Sequence, residues 1–247
     1  MRYGIFGDVH SNLEALEAVL GAFHGASVDR FLSMGDLVGY GADPRAVLER
    51  VRGLELQVSA GNHDWATAGV ISCDRFNEAA RVAVEWTQGA LNDDEKAYLR
   101  ALPLTVIGNG LTLAHGTLSH PELFRYLLDR VTACDQAELM TTPILFVGHT
   151  HLPVVYEIDA RRDRCRTTML TGDISQIKLR KDRRYVINVG SVGQPRDGDP
   201  RASCGILDSE DGTLEVIRLE YDVETAQRKI RQAGLPEKLA ARLEAGW

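Results

Sequence analysis

The stretch RYGIFGDVHSN, residues 2–12, joins a short apolar run to a polar tail carrying Asp8 and His10. Arg2 to Phe6 reads as a buried strand that ends in Gly7-Asp8. Ser11-Asn12-Leu13-Glu14 has capping-box spacing. Leu13, Leu16, Val19, Leu20 and Phe23 then recur at helical intervals. The same unit returns downstream. Arg30 to Met34 reads as a second strand, ending in Gly35-Asp36. Asp43-Pro44 sets an N-cap and a proline at the first helical position of a helix to about Arg52. Leu54 to Ser59 reads as a third strand, ending in Gly61-Asn62-His63-Asp64. Strand, helix, strand, helix, strand is the pattern of an α/β fold with a parallel sheet and crossover helices. Ligands bind such sheets beyond the carboxyl ends of the strands, where Asp8, Asp36 and Asn62 all fall.

Working outward, the middle of the chain reads as helical. Residues from about Asp74 to Thr87 carry apolar positions on one face, and Asn92-x-x-Glu95 caps a further helix that stops before Pro103. Leu104–Ile107 and Leu111–Ala114 flank Gly108-Asn109-Gly110 and predict a hairpin. Its second strand ends in His115-Gly116. Ile144–Val147 is another buried strand, ending in Gly148-His149-Thr150-His151. Beyond it the pattern is mostly β, with strands expected at Val154–Ile158, Arg166–Leu170, Tyr185–Val189, Ala202–Leu207 and Leu214–Leu219. Two short helices, split by Gly234-Leu235-Pro236, close the chain. With no repeat or linker visible, residues 1–247 are expected to form one domain, with helices from about 222 to 247 as an appendage.

Composition narrows the function. The 247 residues are 44% apolar, enough for a full core, and the net charge of -7 argues against a general nucleic-acid binder. Cys73, Cys134, Cys165 and Cys204 form no C-x-x-C pair and are expected to be reduced and mostly buried. No signal-peptide pattern and no membrane-length apolar run is visible. A cytoplasmic location is the expectation.

Of seven histidines, five lie in the strand-end clusters: His10, His63, His115, His149 and His151. Histidine with carboxylate is a ligand set for Zn, Mn, Fe, Co or Ni. Asp8-x-His10 and His149-x-His151 each place two side chains on one side of an extended strand end, so each pair could clamp one ion or divide between two. One such histidine alone reads as an ordinary polar residue. Five histidines, two aspartates and an asparagine at successive strand ends do not.

These blocks resemble the calcineurin-like metallophosphoesterases, in that family's order, from Asp8 to His151. The resemblance implies a four-layer α/β/β/α sandwich. It assigns one divalent transition-metal ion to Asp8, His10, Asp36 and His151 and a second to Asp36, Asn62, His115 and His149, with Asp36 bridging. It makes His63 the transition-state stabiliser or the acid for the leaving group. Asp64 either orients His63 or caps the next segment. Asn12, at a helix amino end, either touches phosphate or caps the helix. Bacterial phosphodiesterase-like members carry a stretch similar to Asn188-Val189-Gly190-Ser191…Pro195-Arg196 near the site, so Arg196 either holds a substrate phosphate or is a solvated arginine in an ordinary turn. The protein-phosphatase branch has Asp-Arg-Gly where this chain has Gly39-Tyr40-Gly41, so the phosphodiesterase-like branch is the nearer one.

The reading that follows is hydrolysis of small phosphodiesters or phosphomonoesters by attack of a metal-bound hydroxide, with two ions, manganese first among them. The alternatives are a non-catalytic protein scaffold on the same fold, or a nuclease. Residues 161–184 hold nine Lys or Arg against three Asp, 9 − 3 = +6. That run reads either as a polyanion-binding hairpin or as a solvated one that blunts a sheet edge.

Overall fold

The computed structural model describes residues 1–159 and 164–247. Strand β1 (Arg2–Phe6) pairs in parallel with β2 (Arg30–Ser33), and β2 with β3 (Leu56–Val58). Helices α1 (Leu13–Gly25) and α2 (Pro44–Arg52) make the crossovers. After them come α3 (Asn62–Thr67), α4 (Glu78–Ala90) and α5 (Asp93–Arg100). The Asn92–Glu95 capping box forms as expected. Helix α4 instead starts at Asn77, whose side chain accepts the Ala80 N–H, so the segment from Asp74 stays outside the helix.

Strands β4 (Thr105–Gly108) and β5 (Leu111–Ala114) form the hairpin. Its turn residues Asn109 and Gly110 have φ of 53° and 75°, the left-handed pair that a two-residue hairpin turn needs. Helix α6 (Arg130–Leu139) precedes β6 (Ile144–Val147), β7 (Val154–Asp159) and β8 (Arg164–Met169). Strands β9 (Ile174–Lys178), β10 (Arg184–Asn188), β11 (Ala202–Asp208) and β12 (Thr213–Leu219) follow, then α7 (Val223–Gln232) and α8 (Glu237–Ala245).

Two mixed six-stranded sheets result, in orders β3-β2-β1-β11-β12-β9 and β4-β5-β6-β10-β7-β8. Their inner faces meet in one apolar layer, where Tyr3, Ile5 and Met34 pack with Leu113, Phe146 and Ile187. A second layer lies under α1 and α2, and a third under α6. Helix, sheet, sheet, helix is therefore the order of layers, as the resemblance implied. The C-terminal helices pack on α4 and on Tyr40 through Ile230, Leu239 and Leu243, which brings them beside the strand ends.

The basic run is not a hairpin. Strand β8 edges one sheet and β9 edges the other, so the two never pair, although each does occupy an edge. Arg183 is spent on Glu157, Asp159 and Asp182. Arg161, Arg162 and Asp163 lie outside the described residues. All four cysteines are free, but only Cys204 is buried. Among the described residues, no helix is long and apolar enough to cross a membrane.

Candidate metal centre

The carboxyl ends of β1, β2, β3, β5 and β6 converge at one end of the sandwich. There the chain leaves its strands abruptly. Asp8, His10, Asp36, His149 and His151 have φ between 49° and 68°, left-handed values that L-residues avoid and that cluster where function over-determines the backbone. The expectation that Asp8/His10 and His149/His151 project from extended strand ends is thus corrected. Each pair sits in a left-handed turn, and the second pair divides between two groups of ligands.

In the first group, His10 Nε2 lies 3.2 Å from His151 Nε2 and 3.6 Å from Asp36 Oδ2, and His151 Nε2 lies 3.3 Å from Asp8 Oδ1. In the second, His115 Nε2 lies 3.1 Å from Asn62 Oδ1, 3.0 Å from His149 Nδ1 and 3.3 Å from Asp36 Oδ2. Asp36 Oδ2 belongs to both groups. Donor atoms held ~2.1 Å from one cation stand roughly 3.0–3.4 Å apart; the second group falls in this range, and the first is wider, with His10 Nε2 3.6 Å from Asp36 Oδ2 and 4.0 Å from Asp8 Oδ1. All of these residues are buried.

For three of the four imidazoles the far side of the ring explains its aim. His10 Nδ1 donates to the Val38 carbonyl at 3.2 Å, His115 Nδ1 to Met34 at 2.7 Å and His151 Nδ1 to Gln194 at 2.5 Å. A carbonyl only accepts, so each bond fixes the tautomer and leaves the Nε2 lone pair facing inward. Burial drives the imidazoles of His10, His149 and His151 well below their ordinary range. They are neutral and ready to ligate. Burial also pushes His115 down, but Asp36 beside it more than reverses this and lifts it to about 9. Asp8 is raised to about 7 by burial, with the charge of Asp36 adding to it. Without a cation, protons on these two groups neutralise the convergent lone pairs.

The glycine-rich loop at 188–197 bolts the two sheets together at this end. Ser191 Oγ donates to the Asp8 carbonyl, Asn188 Nδ2 to the Gly148 carbonyl, and the Gly193 N–H to the Asp8 carbonyl. Gln194 supplies the carbonyl for His151. The loop thereby sets the distance between Asp8 on one sheet and His149 and His151 on the other.

His63 stands apart from the other four imidazoles. An oxygen of Asp36 and a nitrogen of His10 lie within 4.8 Å of one of its ring nitrogens, and, as for His149, no carbonyl among the described residues fixes its far side. Its Nδ1 is buried without a partner among the described residues. Burial lowers its pKa to about 4. Gly39 makes room for it: at φ 92°, a Cβ there would stand 2.4 Å from His63 Nδ1. Tyr40 packs against both His63 and His10, at centroid distances of 4.3 and 4.5 Å.

Two expected site residues prove to be braces. Asp64 does not touch His63. Its carboxylate accepts the N–H groups of Leu37, Val38 and Gly61, which ties the Asp36 loop to the start of α3. Asn12 caps α1, accepting the Ala15 N–H, and donates to the Gly193 carbonyl. These contacts engage both ends of the amide in bracing, and the side chain does not line the large cavity at this site. The cap thus sits one residue later than the Ser11–Glu14 box, and Glu14 pairs with Lys229 instead. Asp43, at the start of α2, likewise turns its carboxylate to Lys229 rather than to its own helix.

Arg196 does reach the site. It lines a cavity of about 480 Å³ together with Asp36, Asn62, His63, His149 and His151. Its Nε is buried with no partner among the described residues, and its guanidinium carbon lies 6.0 Å from the Tyr40 ring centroid. Sequence reasoning missed the rest of the wall, chiefly Phe76, Leu123 and Tyr126. Leu123 and Tyr126 lie on a segment without helical or strand periodicity, and Phe76 falls inside the helix expected from Asp74, which in fact begins after it.

The comparisons agree with this geometry. The family model for the calcineurin-like phosphoesterase superfamily domain matches residues 1–212. An uncharacterized protein of Methanocaldococcus jannaschii is 36% identical over 248 residues, covering 98% of this chain and 97% of that protein. Phosphodiesterase YfcE of Escherichia coli is 27% identical over 226 residues, covering 89% and 92%. The crystal structure of a metallophosphoesterase from Sphaerobacter thermophilus superposes with a TM-score of 0.87 at 41% identity, covering 100% of this chain and 99% of that one. A hypothetical protein from Pyrococcus horikoshii shares the fold at 18% identity and a TM-score of 0.81, covering 100% and 98%. With its family model, its relatives and a cluster of side chains able to bind metal, the chain belongs to the calcineurin-like phosphoesterase superfamily.

Proposed function

We propose that the chain hydrolyses phosphate esters with two divalent transition-metal cations, one held by Asp8, His10, Asp36 and His151, the other by Asp36, Asn62, His115 and His149. The observation that carries this reading is an excess of lone pairs. Eight side-chain contacts, counting Asp36 twice, converge as acceptors within a buried space, and only cations or protons relieve that arrangement. Asp36, whose Oδ2 faces both groups of donors, would serve both cations. The mixed nitrogen and oxygen set suits Mn, Fe, Zn, Co or Ni, and manganese is the first to test.

When bound, such a pair supplies Lewis acidity and an activated water at phosphorus. The chain's own groups do the rest. The buried, unpartnered Nε of Arg196 is free to donate to a phosphate oxygen, a charge-assisted contact of the stronger kind. His63 is neutral in the free protein. An anionic phosphate beside it raises its proton affinity, so that it takes up a proton from solvent, holds a hydrogen bond to the ester and gives that proton to the departing oxygen. Asp64 and Ser191 keep the strand-end loops in register while this happens.

The test is hydrolysis of bis(para-nitrophenyl) phosphate by chelator-stripped protein with manganese restored, for wild type and Asp36→Asn. The variant is expected to lose on the order of 10³-fold in kcat/KM. Equal rates in the two proteins overturn the reading.

A further inference from the structure

The cavity beside the cage is far larger than a phosphate group. At about 480 Å³ it falls within the ~300–1,000 Å³ range of small-molecule sites and is too small for a folded partner. A phosphate group alone would leave most of it unfilled, and its walls bear on what else it could hold.

Tyr126 stacks on His149 with centroids 4.0 Å apart and planes within 7° of parallel, yet it stays 51% exposed. An aromatic ring is thus pinned on one face by a residue of the cage while much of its surface remains uncovered on the cavity wall. Phe76 lines the same cavity and rests against His63 at 5.1 Å. The segment bearing Tyr126 is held in place by Phe124, which is buried in a left-handed conformation at φ 46° and makes edge contacts to Trp65 and His115. Leu123 adds apolar surface. Ser72, Asn77 and Glu122 bring polar groups to the lining. Rigid aromatic faces with a polar border suit a flat ring that has hydrogen-bonding edges. A flexible alkyl group would leave both the stacking faces and the polar border unused.

We propose that the organic group of the substrate is a nucleobase-type ring seated against Tyr126 and Phe76, so that the esters cleaved are nucleoside phosphoesters. This rests on the phosphoesterase reading above. It makes Tyr126 the residue that sets preference among esters.

The experiment compares two diesters with the same leaving group, the para-nitrophenyl esters of thymidine 5′-phosphate and of methyl phosphate. Chemistry at phosphorus is nearly alike in the two, so the ratio of their kcat/KM values reads recognition of the organic group. The wild type is expected to favour the thymidine ester by about 10-fold or more, the range of a base stacked on an aromatic side chain. Tyr126→Ala should bring the ratio close to unity, and Tyr126→Phe should preserve it. A wild-type ratio near unity, or a ratio that Tyr126→Ala leaves intact, overturns the proposal. If neither ester is turned over, the phosphoesterase reading is what fails. Calorimetric titration with thymidine 5′-monophosphate and with methyl phosphate then measures the same preference without turnover, and equal affinities overturn the proposal.

Discussion

The cage and the cavity wall face the same space but are built in opposite ways. The cage takes its atoms from the ends of five strands, with five of its seven residues in left-handed turns and three of its four imidazoles backed by a backbone carbonyl. The wall takes its rings from irregular stretches before α4 and α6, where half-exposed Tyr126 and Leu123 lie open. One region therefore tolerates almost no displacement, while the other can change its side chains without disturbing the sheets. This difference separates what the family shares from what an individual member selects: chemistry rests on the scaffold and specificity on the connections.

The largest effect expected from this contrast comes from a single methyl group. A Cβ on Gly61 would stand 2.0 Å from Asp36 Oδ1 and 2.3 Å from the Asp36 nitrogen. Asp36 would have to move, and it is the one residue common to both groups of ligands. Gly61→Ala should lower kcat/KM on the order of 10³-fold and reduce bound metal measured by atomic emission. Because the damage lies in the cage, the preference among esters should not change. A variant with full metal content and normal turnover would break the comparison.

His63 lies between the two regions and sharpens the boundary. His63→Ala is expected to cost about 10²-fold in kcat with metal content intact, since the proposed ligand sets do not include it. If the metal is lost instead, His63 belongs to the cage. Sequence alone supplied the candidates for this experiment because strand-end position is legible: a short apolar run followed by Gly-Asp, Gly-Asn-His or Gly-His announces both the strand and the group it delivers. What sequence could not supply was the use of each polar atom. Asp64 follows His63 directly, yet its carboxylate turns to three backbone N–H groups. Helix α6 and strand β9 were illegible for a different reason. Helix α6 buries only Ala133, Gln136 and Ala137, too small an apolar stripe to show. Strand β9 places Ile174 and Ile177 three apart, which breaks the alternation of a strand.

Protonation gives a smaller, graded effect. In the metal-free protein, Asp8 sits at about 7 and His115 at about 9, so both hold protons at pH 6. A cation must displace those protons, whereas His10, His149 and His151 are already neutral. Metal affinity should therefore fall as pH drops, by about tenfold per unit between pH 6 and 8 for the group containing His115, and mainly below pH 7 for the group containing Asp8. Titrations in buffers of different ionisation enthalpy would count the protons released. Affinity that is flat across this range would mean that the two groups carry no proton in the empty cage, and the account of how its lone pairs are neutralised would fail.

The smallest effect belongs to Asn12, and it separates a brace from a binding group most cleanly. Its amide caps α1 and reaches the Gly193 carbonyl, so its loss acts on the joint between the first helix and the glycine-rich loop. Asn12→Ala should cost about 1–2 kcal/mol of stability in urea unfolding, the range for a lost cap with a buried carbonyl left unpaired. KM should stay near the wild-type value, because the side chain does not line the large cavity. Arg196→Ala should do the reverse, raising KM with little change in unfolding. A rise in KM for Asn12→Ala without any loss of stability would return Asn12 to the substrate. It would also mean that a helix amino end, rather than the late loop alone, holds the phosphate.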